Sequence, residues 1–255
     1  MRQIHTHALP CLVDADELAP AVVIVVDLLR ASTTICHALH AGAASVIPLV
    51  DVADAQAAIQ RLDRRQLVLG GERKGRRIQH FELGNSPTEY TPAAVAGRKV
   101  LFTTTNGTRA LHHARQAREV LVGAAVNARA VATAAAGGSQ RVDILCAGTD
   151  GQISDEDLLA AGAIASRVVQ GTPGIEWDAD QATESACQAW QALTTAARSK
   201  GWSESAQLAQ QLTATLGGQN LIRIGKAGDL LHCAQLDTLP VVPSWDRPTG
   251  QIRLR

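Results

Sequence analysis

The sequence has no surplus of either charge: 24 Lys and Arg stand against 24 Asp and Glu in 255 residues. General nucleic-acid or membrane-surface binding rests on excess positive charge, so neither is expected. Aromatic residues are scarce, with two Phe, one Tyr and four Trp, which leaves few platforms for stacking single-stranded bases. No apolar run approaches the roughly 18 residues of a membrane-spanning helix. The opening residues MRQIHTHALP lack the apolar core of a secretory signal, and a soluble cytoplasmic protein is expected.

Five cysteines, at 11, 36, 146, 187 and 233, are scattered without a CxxC pair. The odd count and wide spacing exclude a disulfide framework and suit a reducing compartment. None is followed six positions on by arginine, so no Cys-x5-Arg phosphatase loop is written here; they read as small buried hydrophobes. GxxxxGK[ST], GxGxxG and GxSxG are all missing. Asp27-Leu28-Leu29 lacks the second aspartate of an Asp-x-Asp phosphotransfer motif. With no linker, repeat or low-complexity tract, and only the Gly201 region as an internal boundary, one domain over 1–255 is expected.

The stretch that is most informative runs from Ala21 to Thr34, AVVIVVDLLRASTT. Val22 to Val26 form an uninterrupted β-branched run, the pattern of a strand buried on both faces of a parallel sheet. Asp27 falls at its carboxyl end, where open α/β sheets place ligands. Arg30 follows in the turn, and Ser32-Thr33-Thr34 suit a helix cap. Downstream, helices over 33–42 and 54–64, the latter with Ala57, Ala58 and Leu62 inward, alternate with strands over 44–50 and 66–69. This β-α-β-α-β rhythm predicts a three-layer α/β/α fold with a mostly parallel or mixed sheet. Residues 2 to 9 read as a first strand at the sheet edge, with His5 and His7 exposed on it.

The rhythm then breaks over GGERKGRRIQHFELGNSPTEYTP, 70–92, and a loop of that length within a domain is usually functional. It opens on Glu72 and Arg73 and closes on Asn85 and Ser86, where Ser86 can cap a helix with Pro87 at its first position. Backbone amides there would suit an anion. Strand 99–103 leads into Thr104, Thr105, Asn106, Gly107 and Thr108, a second strand-to-helix junction suited to phosphate or sulfonate. Strand 141–146 leads to Asp155-Glu156-Asp157, where Ser154 and Asp157 have the spacing of a capping box. Asp229 reads as a turn or cap residue. From 179 to 215 the chain reads as two helices around Gly201.

Four strand ends thus carry the polar groups, and in a parallel sheet they would share one edge. Their sum describes an anion held by Arg, hydroxyl and amide groups beside a carboxylate-bound divalent cation. DLLRASTT, GGER, ELGNSP, TTTNGTRA and CAG…DEDLLAAG, in that order over Asp27 to Gly162, resemble the 2-phosphosulfolactate phosphatase (ComB) family. The resemblance implies an α/β/α fold and Mg²⁺-dependent hydrolysis of 2-phospho-3-sulfolactate to 3-sulfolactate and phosphate, as in coenzyme M biosynthesis. His80-Phe81-Glu82 departs from the Gly-Phe-Asp more usual there.

Roles follow from position. Asp27 with Glu156 and Asp157 is assigned to the metal, and Glu72 to a third ligand or the base. Arg30 joins Asp27 and Glu72 in the catalytic set. Arg73, Asn85, Ser86, Thr104, Asn106, Gly107 and Thr108 are assigned to a small anionic phosphoester. A homodimer is the candidate assembly. Two competing classes are a non-catalytic anion-binding or regulatory module using the same pocket, and RNA or nucleotide binding through Arg73 to Arg77.

Overall fold

Short runs of Val, Ile and Leu become strands here because the sheet buries them on both faces; all five residues of Val22–Val26 are buried. The computed structural model describes residues 1–61, 63–137 and 139–255. Leu62, expected to face inward on a helix, and Gly138 lie outside the described residues. The strands are β1 (Arg2–His7), β2 (Val22–Val26), β3 (Ser45–Pro48), β4 (Leu67–Arg73), β5 (Arg76–Arg77), β6 (Lys99–Thr103), β7 (Glu119–Gly123), β8 (Arg141–Cys146), β9 (Trp177–Ala179), β10 (Pro243–Asp246) and β11 (Gln251–Leu254). The helices are α1 (Ala31–His40), α2 (Val52–Arg61), α3 (Pro92–Val95), α4 (Gly107–His113), α5 (Ala128–Ala136), α6 (Asp155–Gln170), α7 (Gln181–Lys200), α8 (Glu204–Leu212), α9 (Leu216–Arg223) and α10 (Gly228–Cys233).

All strands join one mixed sheet in the order β5-β4-β6-β3-β11-β10-β7-β2-β8-β1-β9. Two parallel blocks, β7-β2-β8-β1-β9 and β4-β6-β3, are joined by the β10–β11 hairpin, whose ladders to both neighbours are antiparallel. Three antiparallel steps lead from β7 to β3, so the second block is reversed in the ladder relative to the first. The segments that follow β2, β4, β6 and β8 nonetheless meet at one cleft, and Gly107, after β6, lies against the Asp27 carboxylate, after β2. Within the first block Val26 is level with Gly123 and Cys146. In the second, Gly71 is level with Thr103.

Alternation along the strands divides the core between the two faces. Val22, Ile24 and Val26 meet α5, α6 and Leu193 of α7 on one side. Val23 and Val25 meet α1 and α4 on the other. Ala55 of α2 covers Leu67, Leu69 and Leu101, while Ala57 is exposed, contrary to the inward position expected of it.

β1 is not an edge strand, because β9 pairs outside it. His5 and His7 are accordingly part-buried and lean on Asp143, each 3.5 Å away. Burial works against the Asp143 carboxylate, but the nearby His7 ring and the hydrogen bonds from Arg141 hold it below its ordinary range. The cysteines are free; Cys36, Cys146 and Cys233 are buried and their thiols pushed up by burial, whereas Cys11 is exposed, against expectation. Among the described residues no helix is long and apolar enough to cross a membrane.

Candidate active site

Asp27 ends β2 and turns the chain into α1. Its Oδ1 accepts from Ala31 N at 3.0 Å, and its own N–H donates to Ser32 Oγ at 2.9 Å. Ser32, Thr33 and Thr34 lie inside the first turn of the helix rather than ahead of it; their hydroxyls bond back to Val25 O, Leu28 O and Asn85 O. Gly107, at the start of α4, lets that helix reach the carboxylate: a Cβ there would lie 2.7 Å from Asp27 Oδ2. Only Gly fits a backbone approach of this kind.

The Asp27 carboxylate forms part of the floor of a cleft of about 480 Å³, lined also by Arg30, Glu72, Lys74, Asn85, Asn106 and Arg223. Asp27 is 7% exposed. Burial pushes it up to about 7; the Ala31 N–H opposes this, the charges of Glu72 and Glu156 add to it, and the Arg30 cation opposes it. A carboxyl group at that value is poised between its two forms near neutral pH, as functional carboxyls are.

Glu72 is a junction between loops. Its Oε1 accepts from Thr105 N at 2.7 Å and Thr105 Oγ1 at 2.9 Å, and its Oε2 from Gly75 N at 2.6 Å. Both oxygens are committed to holding the β4–β5 turn against the segment after β6, so the geometry gives Glu72 a positioning role. Arg30 is similarly committed. Only 2% exposed, it donates to Asp229 Oδ2 at 2.6 Å and Gly75 O at 3.0 Å. Asp229 accepts in turn from Ser86 Oγ at 2.6 Å. Asp229 is thus the buried counter-charge of Arg30 and not a mere turn residue. The signal available in the sequence was a lone acidic residue in a Gly-Asp-Leu triplet, which cannot reveal a partner 199 residues away.

The remaining assignments divide. Asn85 and Asn106 line the cleft, and Asn85 Oδ1 is buried with no partner among the described residues. Ser86 makes no side-chain capping hydrogen bond and precedes only a three-residue turn, 87–89; its hydroxyl is engaged by Asp229 instead. Thr104 and Thr108 are turned inward and bond to each other: Thr108 N donates to Thr104 Oγ1, and Thr108 Oγ1 to Thr104 O. Thr105 reaches the cleft instead. Arg73 points away from the cleft, donating to Glu72 O, Val50 O and Thr103 Oγ1. That also removes it from a basic surface patch.

Asp157 forms no capping box. Its Oδ1 accepts from Leu28 N at 2.8 Å and its Oδ2 from Gly148 N at 3.0 Å, which stitches the loops after β2 and β8 together. Burial raises its pKa well above the ordinary carboxylate value, and Asp27 and Glu156 add to the effect. Glu156 is also buried, and its Oε2 has no partner among the described residues. The backbone of α9 lies directly on it, since a Cβ on Gly217 would overlap Glu156 Oε1. α9 and the β4–β5 turn supply the wall that sequence reasoning missed: Gly217, Asn220, Arg223 and Ile224 on one side, Lys74 and Gly75 on the other. The Gly217-Gly218 pair inside a helix was the available sign of close approach.

A cation fits this donor set in a particular way. Among the described residues no group of three or more His, Cys, Asp or Glu could hold a metal ion. Mg²⁺, however, is commonly held by one or two carboxylates, with waters and substrate phosphate completing its shell. Asp27 Oδ2 and the unpartnered Glu156 Oε2 are the carboxylate oxygens that would be left over for it, in a place where burial first, and the charges of Glu72 and Glu156 after it, raise Asp27.

A mixed α/β sheet with a part-buried cleft at the carboxyl ends of β2, β4 and β6, lined by carboxylates and cations alike, defines an α/β protein built to handle a small polar molecule. Comparison with known proteins narrows the class. The model of the 2-phosphosulpholactate phosphatase family matches residues 8–248, and the chain belongs to that family. Proteins named probable 2-phosphosulfolactate phosphatase are similar throughout. That of Symbiobacterium thermophilum is 42% identical, covering 94% of this chain and 97% of its own. That of Parasynechococcus marenigrum is 38% identical over 96% and 97%. That of Deinococcus radiodurans is 38% identical over 93% and 95%.

Proposed function

We propose that the protein is a Mg²⁺-dependent phosphomonoesterase acting on a small, highly anionic phosphoester, with 2-phospho-3-sulfolactate as its substrate and 3-sulfolactate and phosphate as products. The observation that carries the reading is Asp27: a buried carboxylate with one uncommitted oxygen at the end of β2, in a cleft of a chain of this family. Asp27 and Glu156 would hold the cation. When bound, Mg²⁺ neutralises phosphoryl oxygens and lowers the pKa of an attacking water.

The protein's own residues supply orientation. Asn85 and Asn106 present amide groups to the anion from two loops. Arg30, neutralised by Asp229, fixes the cleft wall by donating to Gly75 O. Leu29 and Leu221 form apolar wall that limits water. Burial raises the Asp27 carboxyl to about 7, and to hold a cation it would have to be in its deprotonated form. Catalysis is then mainly positioning and preorganised charge.

Incubating the purified protein with Mg²⁺ and a panel of phosphorylated hydroxyacids, and following phosphate release, tests the reading. Turnover that is fastest on 2-phospho-3-sulfolactate and lost with EDTA is expected. Binding across the panel without turnover would replace the enzyme with an anion-binding module.

A further inference from the structure

Three cations line the cleft: Arg30, Lys74 and Arg223. The charge of Arg30 is spent on buried Asp229. Lys74 and Arg223 are both exposed and, among the described residues, neither is paired with a carboxylate; Arg223 touches only Asn220 Oδ1, at 3.0 Å. They face the cleft from separate elements, Lys74 from the β4–β5 turn and Arg223 from the end of α9. The two elements already touch, because a Cβ on Gly75 would lie 2.7 Å from Ile224 Cδ1.

The backbone at Lys74 is unusual. Arg73 pairs with Arg76, so Lys74 and Gly75 are the two central residues of a tight hairpin. Both have positive φ, 52° and 75°, as a type I′ turn requires. Asn, Asp or Gly is favoured at the first of these positions, and a long side chain there is held against its conformational preference. A lysine in a left-handed conformation, unpaired and facing a cleft, points to a task for its ammonium group. The turn is also fixed: Glu72 accepts from Gly75 N, and Arg30 donates to Gly75 O.

We propose that Lys74 and Arg223, with Asn220 beside them, form a second anion subsite at the mouth of the cleft, which takes the distal acid group of the substrate while the phosphate lies deeper, near Asp27. This rests on the phosphatase reading and adds to it the groups that select a phosphoester carrying further negative charge. Asp150, also at the cleft wall, disfavours an anion on its own side and so helps to orient the ligand. Arg supplies a planar fork for an oxyanion and Lys a point charge, a combination that accepts a sulfonate or carboxylate.

The test uses the full chain and the variants K74N, K74R and R223Q. Phosphate release is measured with 2-phospho-3-sulfolactate, 2-phospholactate and isopropyl phosphate, which remove the sulfonate and then the carboxylate. K74N and R223Q are expected to lose at least tenfold more kcat/KM on 2-phospho-3-sulfolactate than on isopropyl phosphate, and K74R to recover most of the loss. Equal losses on the two esters, or none, overturn the subsite. Asn suits the turn, so K74N should melt at or above the wild-type temperature; a lower melting temperature would make Lys74 a folding residue and count against the proposal. Calorimetric titration with 3-sulfolactate separates the two readings. Binding that weakens tenfold in K74N, without turnover of any ester, retains the subsite and rejects the phosphatase. Turnover with no discrimination by the variants does the reverse.

Discussion

Asp27 is held in a place that suits chemistry better than stability. Its folded-state pKa of about 7 lies above the ordinary 3.8, so the folded protein retains a proton that the unfolded chain releases. Stability from this group is greatest below 3.8, falls as pH rises from 3.8 to 7, and is level above that. Asp27→Asn removes the buried charge and keeps an acceptor for Ala31 N. Measured in EDTA, the variant should gain on the wild type by on the order of 2–3 kcal/mol between pH 5 and pH 8, at about 1.4 kcal/mol per pH unit across the window. Turnover should be abolished in the same variant at any practical Mg²⁺ concentration. A urea-melt series that shows no pH-dependent gain would remove the argument from burial. Asn106→Ala should instead weaken substrate or transition-state binding by ~1.5–3 kcal/mol, as for one charge-assisted hydrogen bond, with the Mg²⁺ dependence nearly unaltered. Titrating that variant with substrate and with Mg²⁺ decides it. Asp229→Asn leaves Arg30 buried without its counter-charge and should cost about 3–5 kcal/mol of folding stability. It should also raise KM, because Gly75 and Ser86 lean on the same pair.

At the scale of elements, the strands and helices that flank the cleft were legible wherever a hydrophobic period of two or 3.6 ran unbroken. β2, β6 and β8 occupy nearly the residues their patterns assign. The carboxylate positions were legible because strand ends announce themselves. What each side chain does there was not, since Thr104 and Thr108, or Asp157 and Gly148, are joined by hydrogen bonds that no local spacing encodes. α9 was the least readable element. It is amphipathic, but its function lies in a backbone contact, Gly217 against Glu156, that only the folded chain brings about. Gly217→Ala should push α9 off Glu156 and open the cleft wall, at about 1–3 kcal/mol by analogy with overpacked cores. Thermal melts together with KM for the phosphoester measure both effects; an alanine variant with wild-type values in each would mean that the helix shifts freely. The β10–β11 hairpin was hidden for a different reason. Its few strand residues are short, part-exposed and interrupted by Arg247-Pro248, so they lack the apolar run that revealed β2.

The whole molecule depends on that hairpin for its continuity. β10 pairs with β7 and β11 with β3, so residues 243–254 join two blocks of sheet, each of which supplies part of the cleft. β3 and β7 are separated in sequence from their hairpin partners by well over a hundred residues. Such pairing is slow to find, because loop closure must precede the contacts that reward it. Synthesis from the amino end adds a delay. At about 5–20 residues per second, β7 stays without its neighbour for on the order of 6–25 s while the rest of the chain is made. During that interval the newborn polypeptide presents two open strand edges, one on each half, that are complementary to the same late segment and hence to any similar segment on an adjacent ribosome. Yield in the cell should therefore depend on chaperone supply and translation rate more than the stability of the finished protein would suggest.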